Sequence, residues 1–302
     1  MDTPIRIGTR GSKLALWQAH FVKQQLESLG HAVELIIIKT KGDQIQHLSF
    51  DKIEGKGFFT KELEEALLHK RIDLAVHSMK DLPTEHHPDL ALAGVSQRAN
   101  PADWLIIHPR TVDKTQLFGL KKGALVGTSS ARRKAQMRHF RPDVSFRDIR
   151  GNVPTRLHKL EEGQVDALLL AAAGFERLAL DLSAWQVHPL HPREFIPAPA
   201  QGVLAYQVRR SDLALRRVLL ALHHEATART VQVERQVLQL TGGGCHAPLG
   251  AYCERDANGH YHLFGAWAEA WDQPVHFAYL SSSTTHGLAA QLVDELKKTE
   301  TN

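Results

Sequence analysis

Residues able to do chemistry gather at a few points along this 302-residue chain. His77-Ser78-Met79-Lys80-Asp81-Leu82-Pro83 follows an apolar run that ends at Val76. A Lys–Asp neighbour pair is ordinarily a solvated ion pair worth ~0–1 kcal/mol. At a strand end beside a ligand, Asp81 can instead hold its charge against a developing cation, a form of electrostatic stabilisation that lowers barriers by several kcal/mol. Gly242-Gly243-Gly244-Cys245 is the second point. Three glycines let a backbone approach something closely and leave the thiol on a loop, where it can be a covalent anchor or a nucleophile. Cys245 and Cys253 have no zinc-like partner set, so no metal is expected. His86-His87 and His223-His224 read as surface pairs.

Anion recognition is the third theme. Ile7-Gly8-Thr9-Arg10-Gly11-Ser12 ends a strand and opens a helix, and Val126-Gly127-Thr128-Ser129-Ser130 does the same. Helix N-termini carry unpaired N–H groups and partial positive charge, and so hold anions. Ser and Thr are also ordinary N-caps there, but two matched sites facing a cleft point to binding. Arg132 and Arg133 stand one turn inside the second helix. Arg150 and Arg156 flank Gly-Asn-Val-Pro-Thr, and Arg177 follows another strand end. Guanidinium recognises carboxylates bidentately, at ~1.5–3 kcal/mol per charge-assisted bond. Arginines recurring at the C-terminal ends of strands, where α/β folds bind ligands, imply a polycarboxylate ligand.

The elements that must carry these residues alternate between short strands and amphipathic helices. Val33 to Ile38 reads as a buried strand, Phe59 to Lys70 as a helix with Leu63, Ala66 and Leu67 on one face, and Ile72 to Val76 as the next strand. The phrase recurs as helix Thr155 to Glu162 followed by Val165-Asp166-Ala167-Leu168-Leu169-Leu170. Both copies run helix, turn, β-branched residue, Asp, apolar strand. Two similar α/β lobes follow, each with a mainly parallel sheet: residues 1–98 with 198–217, and residues 102–195. The chain crosses over near Arg98 to Asp103 and returns near Pro197 to Gly202. Helices near Asp212 to Leu222 and Ala226 to Leu240, then alternating strands and a helix from Thr285 to Lys298, make residues 222–302 a small α+β third domain bearing Cys245.

Composition closes other branches. Hydrophobic residues make up 43% and charged residues 23%, with a formal net charge of +4, close to globular averages. The longest apolar stretch, Ala167 to Ala173, is far short of the ~20 residues a membrane helix needs. Clustered basic blocks and a base-stacking aromatic face are missing, so no nucleic acid partner is expected. The N-terminal residues lack a secretory pattern of basic start, apolar run and small-residue cleavage site. With two cysteines, the expectation is a cytoplasmic protein with reduced thiols.

Assembled in order, these segments closely resemble the porphobilinogen deaminase (hydroxymethylbilane synthase) family. The resemblance is carried by Gly8–Gln18, Gly55–Glu64, His77–Pro83, Val126–Arg133, Arg150–Arg156 and Gly243–Gly250; the last fifty or so residues add little. It implies two periplasmic-binding-protein-like lobes around a cleft plus a smaller third domain. It further implies stepwise head-to-tail condensation of porphobilinogen, with loss of ammonia, on a dipyrromethane cofactor held by a thioether to Cys245. In this likeness Asp81 is the catalytic carboxylate, stabilising the cationic azafulvene and the arenium-like species that follows. Lys80, Arg132 and Arg133 belong nearer the cofactor, and Arg10, Arg150 and Arg156 nearer incoming substrate. Arg177, Ser12, Thr128, Ser129 and Ser130 supply further donors, Phe59 covers or stacks on a ring or is a core aromatic, and Gln201 belongs to the same ligand-facing set. One departure stands out: Ala200-Gln201-Gly202 occupies the place where the family commonly has Gly-Gln-Gly. Pro154 falls in a first helical turn, where proline is tolerated. A monomer is expected. The rival readings are a solute-binding protein, which has no use for Gly243-Gly244-Cys245, and a nucleic-acid binder.

Overall fold

The computed structural model describes residues 3–39, 60–85, 87–242 and 247–298. The fold divides into two compact units, one of residues 3–39, 60–99 and Gly202–Ala228, the other of Asn100–Gln201 and 229–298. Strands are numbered in chain order.

The first unit is built on β1 (Ile5–Thr9), β2 (Val33–Ile37), β3 (Leu74–Ser78), β4 (Leu90–Val95) and β10 (Leu204–Arg209). Their order is β2-β1-β3-β10-β4. β1 pairs in parallel with β2 and β3, whereas β10 runs antiparallel to β3 and β4. In the second unit β5 (Asp103–Ile107), β6 (Leu125–Gly127), β7 (Ser145–Arg147), β8 (Ala167–Ala171) and β9 (Gln186–Leu190) form a sheet of order β7-β6-β8-β5-β9. β6 is parallel to β7 and β8, and β5 is antiparallel to β8 and β9. The two orders coincide position by position. The expected parallel sheets are therefore each interrupted once, by the strand that follows a crossover of the chain.

The duplication extends to single residues. Asp73 donates its amide to the Arg6 carbonyl at 2.8 Å and accepts from the Arg6 amide at 3.1 Å. Asp166 does the same with Leu125, at 2.8 Å in both directions. Gly8 and Gly127 match as well. A Cβ on Gly8 would lie 2.2 Å from Ile72 Cδ1, and one on Gly127 would lie 2.8 Å from Leu168 Cδ2 and 3.2 Å from Val165 Cγ1. The β-branched residue before each Asp thus closes over a glycine in the neighbouring parallel strand, β1 or β6, and no larger residue fits.

The helix after the first glycine, Lys13–Ser28, buries Gln18, Ala19, Val22 and Leu26. Helix Lys61–Leu68 buries Leu63, Ala66 and Leu67, the face expected from periodicity. Strand β3 starts two residues later than the apolar run because the amides of Arg71 and Ile72 turn back to the Ala66 carbonyl. Lys70, at φ 56°, makes that turn. Phe59 and His86 lie outside the described residues. His223 and His224 are not a free surface pair: His223 Nδ1 accepts from the Val95 amide at 3.2 Å, and the His224 amide donates to the Val95 carbonyl at 2.9 Å. A helical edge is thereby stitched to β4.

The rest of the second unit is an antiparallel sheet of β11 (Leu249–Arg255), β12 (Tyr261–Trp267) and β13 (His276–Ser282). Helix Leu288–Lys297 packs on it so closely that a Cβ on Gly265 would lie 2.8 Å from Leu292 Cδ2. Val233 and Val237 of helix Glu225–Leu240 complete that core together with Cys253. Among the described residues, no helix is long and apolar enough to cross a membrane.

Candidate functional site

In the first unit the candidate residues sit at the C-terminal ends of the adjacent parallel strands β1 and β3. Arg10 follows β1 and is half-buried. Ser12 caps the next helix, accepting from the Ala15 amide at 3.3 Å. Gln18, on the inner face of that helix, donates 2.8 Å to Ser78 Oγ, tying the end of β3 to the end of β1. A 3-10 turn, Met79–Asp81, begins immediately. The Met79 amide bonds Val203 at 2.9 Å, and the side chains of Met79 and Leu82 are buried. With both flanks anchored, Asp81 is left exposed and Lys80 half-buried. His77, of the same motif, is part of the scaffold. Gln207 Nε2 donates to Glu64 at 2.9 Å, so its Oε1 accepts from His77 Nε2 at 3.0 Å, which fixes the tautomer.

In the second unit Thr128 and Ser130 perform their capping work: Thr128 is buried, its Oγ1 accepts from the Ser130 amide at 3.3 Å, and Ser130 Oγ accepts from the Arg133 amide at 3.4 Å. Ser129 Oγ donates to the Ile149 carbonyl at 2.9 Å and accepts from its amide at 3.0 Å. That exchange locks the segment bearing Arg150 beside the end of β6. Gly151, at φ 108°, turns the chain into helix Val153–Glu161, capped by Asn152. Arg177 is half-buried in helix Ala172–Leu178, which begins directly after β8. Pro154 lies in the first turn of its helix, as expected.

Arg132 and Arg133 do not project into open space. Arg132 is 4% and Arg133 7% exposed, and both turn to Asp103, which is fully buried at the head of β5. Arg132 Nη1 donates to Oδ2 at 2.8 Å; Arg133 donates to Oδ1 through Nη2 at 2.7 Å and Nε at 3.2 Å. Gln201, 0% exposed, adds Nε2 to Oδ1 at 3.0 Å. Gln201 therefore joins this buried cluster. Burial alone raises a carboxyl pKa, but here the two guanidiniums outweigh it and hold Asp103 far below the usual range. Nothing in the sequence reading singled out Asp103. Its one signal was a lone carboxylate opening the apolar run Trp104-Leu105-Ile106-Ile107, where a buried charge needs a partner.

Arg156 differs from these two. Its Nε donates to the Gly151 carbonyl at 2.8 Å, and among the described residues its terminal nitrogens meet no acceptor. Burial first, then the positive charges of Arg133 and Arg150, push its pKa down to about 10. The opposed charges of Arg133, Arg150 and Arg156 favour an incoming anion. The donor set fits a carboxylate-rich pyrrole group. Cys245 lies outside the described residues, and no metal-ligand cluster occurs among the described residues.

Comparisons with known proteins show what the chain is similar to. Residues 5–217 match the family model described as "Porphobilinogen deaminase, dipyromethane cofactor binding domain". The chain is 43% identical over 268 residues to a porphobilinogen deaminase of Gloeobacter violaceus, covering 88% of this chain and 81% of that protein. Among solved structures it is similar to a periplasmic substrate-binding protein of Coxiella burnetii at 16% identity and a TM-score of 0.43, covering 74% of this chain and 94% of that one. A Salmonella typhimurium periplasmic binding protein of high arginine specificity is also similar, at 12% identity and a TM-score of 0.41, covering 78% and 98%.

Proposed function

The chain belongs to the porphobilinogen deaminase family, and from that premise we propose which of its residues carry the reaction. The reaction is the family's: four porphobilinogen molecules are joined head to tail into hydroxymethylbilane, with ammonia released, in tetrapyrrole biosynthesis. The dipyrromethane cofactor, when bound, supplies the pyrrole end that receives the first substrate unit.

Asp81 is the residue that holds negative charge beside the substrate as ammonia leaves. The buried side chains of Met79 and Leu82 fix the turn around it, so the carboxylate is pre-aimed and needs no reorganisation. As an acceptor it also takes pyrrole N–H bonds and orients the ring. Arg10, Ser12 and Lys80 in the first unit, with Arg150, Arg156 and Arg177 in the second, receive acetate and propionate groups. Thr128, Ser129 and Ser130 keep the strand end and helix start in register, and Arg132 and Arg133 act from behind. Cys245 anchors the cofactor through its sulfur, and Phe59 covers a pyrrole ring. The observation that carries this reading is Arg156, whose charge is opposed by Arg133 and Arg150 until an anion arrives.

We also assign the working parts as residues 1–98 with 198–217, residues 102–195, and residues 222–302, in a cytoplasmic monomer. The test is the intact mass of the denatured protein. A thioether survives denaturation, so the native chain runs heavier than 33.7 kDa by a linked pair of pyrroles, and porphobilinogen adds a ladder of one-ring steps. A bare mass and no ladder, even after incubation with hydroxymethylbilane, overturns the assignment. Light scattering of the same sample reports the monomer.

A further inference from the structure

We propose that Asp103 is a positioning residue that tempers the carboxylate affinity of the arginine cluster, so that a lengthening polycarboxylate chain is held without being trapped. The inference rests on the assignment above of Arg156 and its neighbours to carboxylate binding.

Each side-chain nitrogen of Arg133 makes a hydrogen bond inside the protein. Nε and Nη2 go to Asp103, and Nη1 goes to the Leu169 carbonyl at 3.2 Å. Arg132 spends Nη1 on Asp103 and on the Ile196 carbonyl at 2.9 Å. Asp103 thus offsets the charge of both guanidiniums as a permanent internal anion. Its own position is fixed from a third side by Gln201, which also donates to the Pro101 carbonyl at 2.8 Å. Four hydrogen bonds from three residues hold the carboxylate in place. Arg133 still acts on Arg156 through its charge, and Asp103 sets how much of that charge is felt. Each condensation adds carboxylates to the ligand. Without an internal anion, two more guanidiniums would be released to grip them.

Asp103→Asn keeps the shape and removes the charge, and Asp103→Glu restores it. In the folded fraction of Asp103→Asn, we expect normal cofactor loading by intact mass and a KM for porphobilinogen that is unchanged or lower. We also expect kcat to fall roughly tenfold and partly elongated covalent species to accumulate in the mass spectrum. Asp103→Glu should recover most of the turnover. Wild-type masses and kinetics in the folded variant would reduce Asp103 to a stability role and overturn the proposal. Removing a buried counter-ion can abolish folding, so the comparison is repeated on Arg133→Gln. That variant should raise KM, and Arg133→Gln with Asp103→Asn should bring it back down; equal KM values in the two would also overturn the proposal. A wild-type protein showing no ladder at all would instead fault the functional assignment.

Discussion

The amide of Ala200 donates 2.6 Å to the carboxylate of Glu234, which is wholly buried and whose other oxygen accepts from the Cys253 amide at 2.8 Å. One side chain of helix Glu225–Leu240 therefore binds both the returning crossover segment and β11. The contact is tight elsewhere too: Ala251 donates to the Pro197 carbonyl at 3.0 Å, and a Cβ on Gly250 would lie 2.6 Å from the Ile196 carbonyl. Ala200 itself holds φ 61°, in the left-handed region.

That φ predicts a stabilising substitution. An L-residue other than glycine is strained there by ~1–2 kcal/mol, and glycine gives back part of that in unfolded-chain entropy. Ala200→Gly should raise stability by about 1 kcal/mol, a Tm gain of ~2 °C for a chain of this size. Glu234→Gln should lower it, because one of two charge-assisted acceptors becomes a donor facing a donor. Calorimetry of both variants checks the pair. A lower Tm for Ala200→Gly would mean that the lost buried methyl and the added unfolded-chain entropy outweigh the φ strain at this position.

Much of this architecture was legible in the sequence, because the signals were local. The duplicated β-branched-Asp phrase marked Asp73 and Asp166, and the Gly-Thr turns marked Gly8 and Gly127, which lie in matched places of the two sheets. The antiparallel β5 and β10 were not legible. Strand direction follows from where a crossover re-enters a sheet, and no local pattern encodes that. The same limit hid Asp103 and Glu234. A single carboxylate in an apolar context is conspicuous only when its partners, far off in sequence, are known. Arg132 and Arg133 were legible as cations but not as partners of Asp103, and no local signal marked the Gln201 donor that turns to that same residue.

Acid stability should reflect Asp73. Burial disfavours its charged form, but bonds from Arg6 at 2.9 Å to each carboxylate oxygen and from Arg209 at 2.7 Å prevail, bringing its pKa to about 2. A carboxyl depressed in the folded state contributes stability that is complete above its unfolded pKa near 4 and lost as pH falls through the folded value. The slope between pH 4 and pH 2 should therefore flatten in Asp73→Asn. Allowing for solvent screening, the contribution is on the order of 1 kcal/mol. Urea midpoints at pH 2, 3, 4 and 7 for both proteins measure it, and parallel curves would remove Asp73 as the source.

Alkaline pH should act on binding through Arg156. Burial, Arg133 and Arg150 bring its pKa to about 10, so in the free protein its positive charge is lost as pH rises through that value. On the proposed role of Arg156, substrate carboxylates bind its charged form, so KM should climb above pH 10 while remaining flat from pH 8 to 9. Arg156→Gln should start from a raised KM and show little further rise. A wild-type KM that stays flat to pH 10.5 would argue against a carboxylate contact at Arg156.

Asp81 carries the sharpest prediction, because its neighbours separate chemistry from folding. The side chain is exposed, while the turn beneath it is held by Met79, by Leu82 and by the Gln18–Ser78 bond at 2.8 Å. Removing the charge should therefore leave the fold untouched: Asp81→Asn should melt within ~0.5 kcal/mol of wild type. It should also retain its covalent cofactor, since the proposed anchor is Cys245. Turnover should drop by about two to three orders of magnitude, the usual loss when a preorganised charge is deleted from the transition state. Asp81→Glu, with the same charge one methylene further out, should fall between the two. The decisive readout is the single-turnover rate of the first mass step on adding porphobilinogen. If Asp81→Asn makes that step at close to the wild-type rate, the carboxylate is not what stabilises the departing-ammonia cation, and the charge that does must come from another residue.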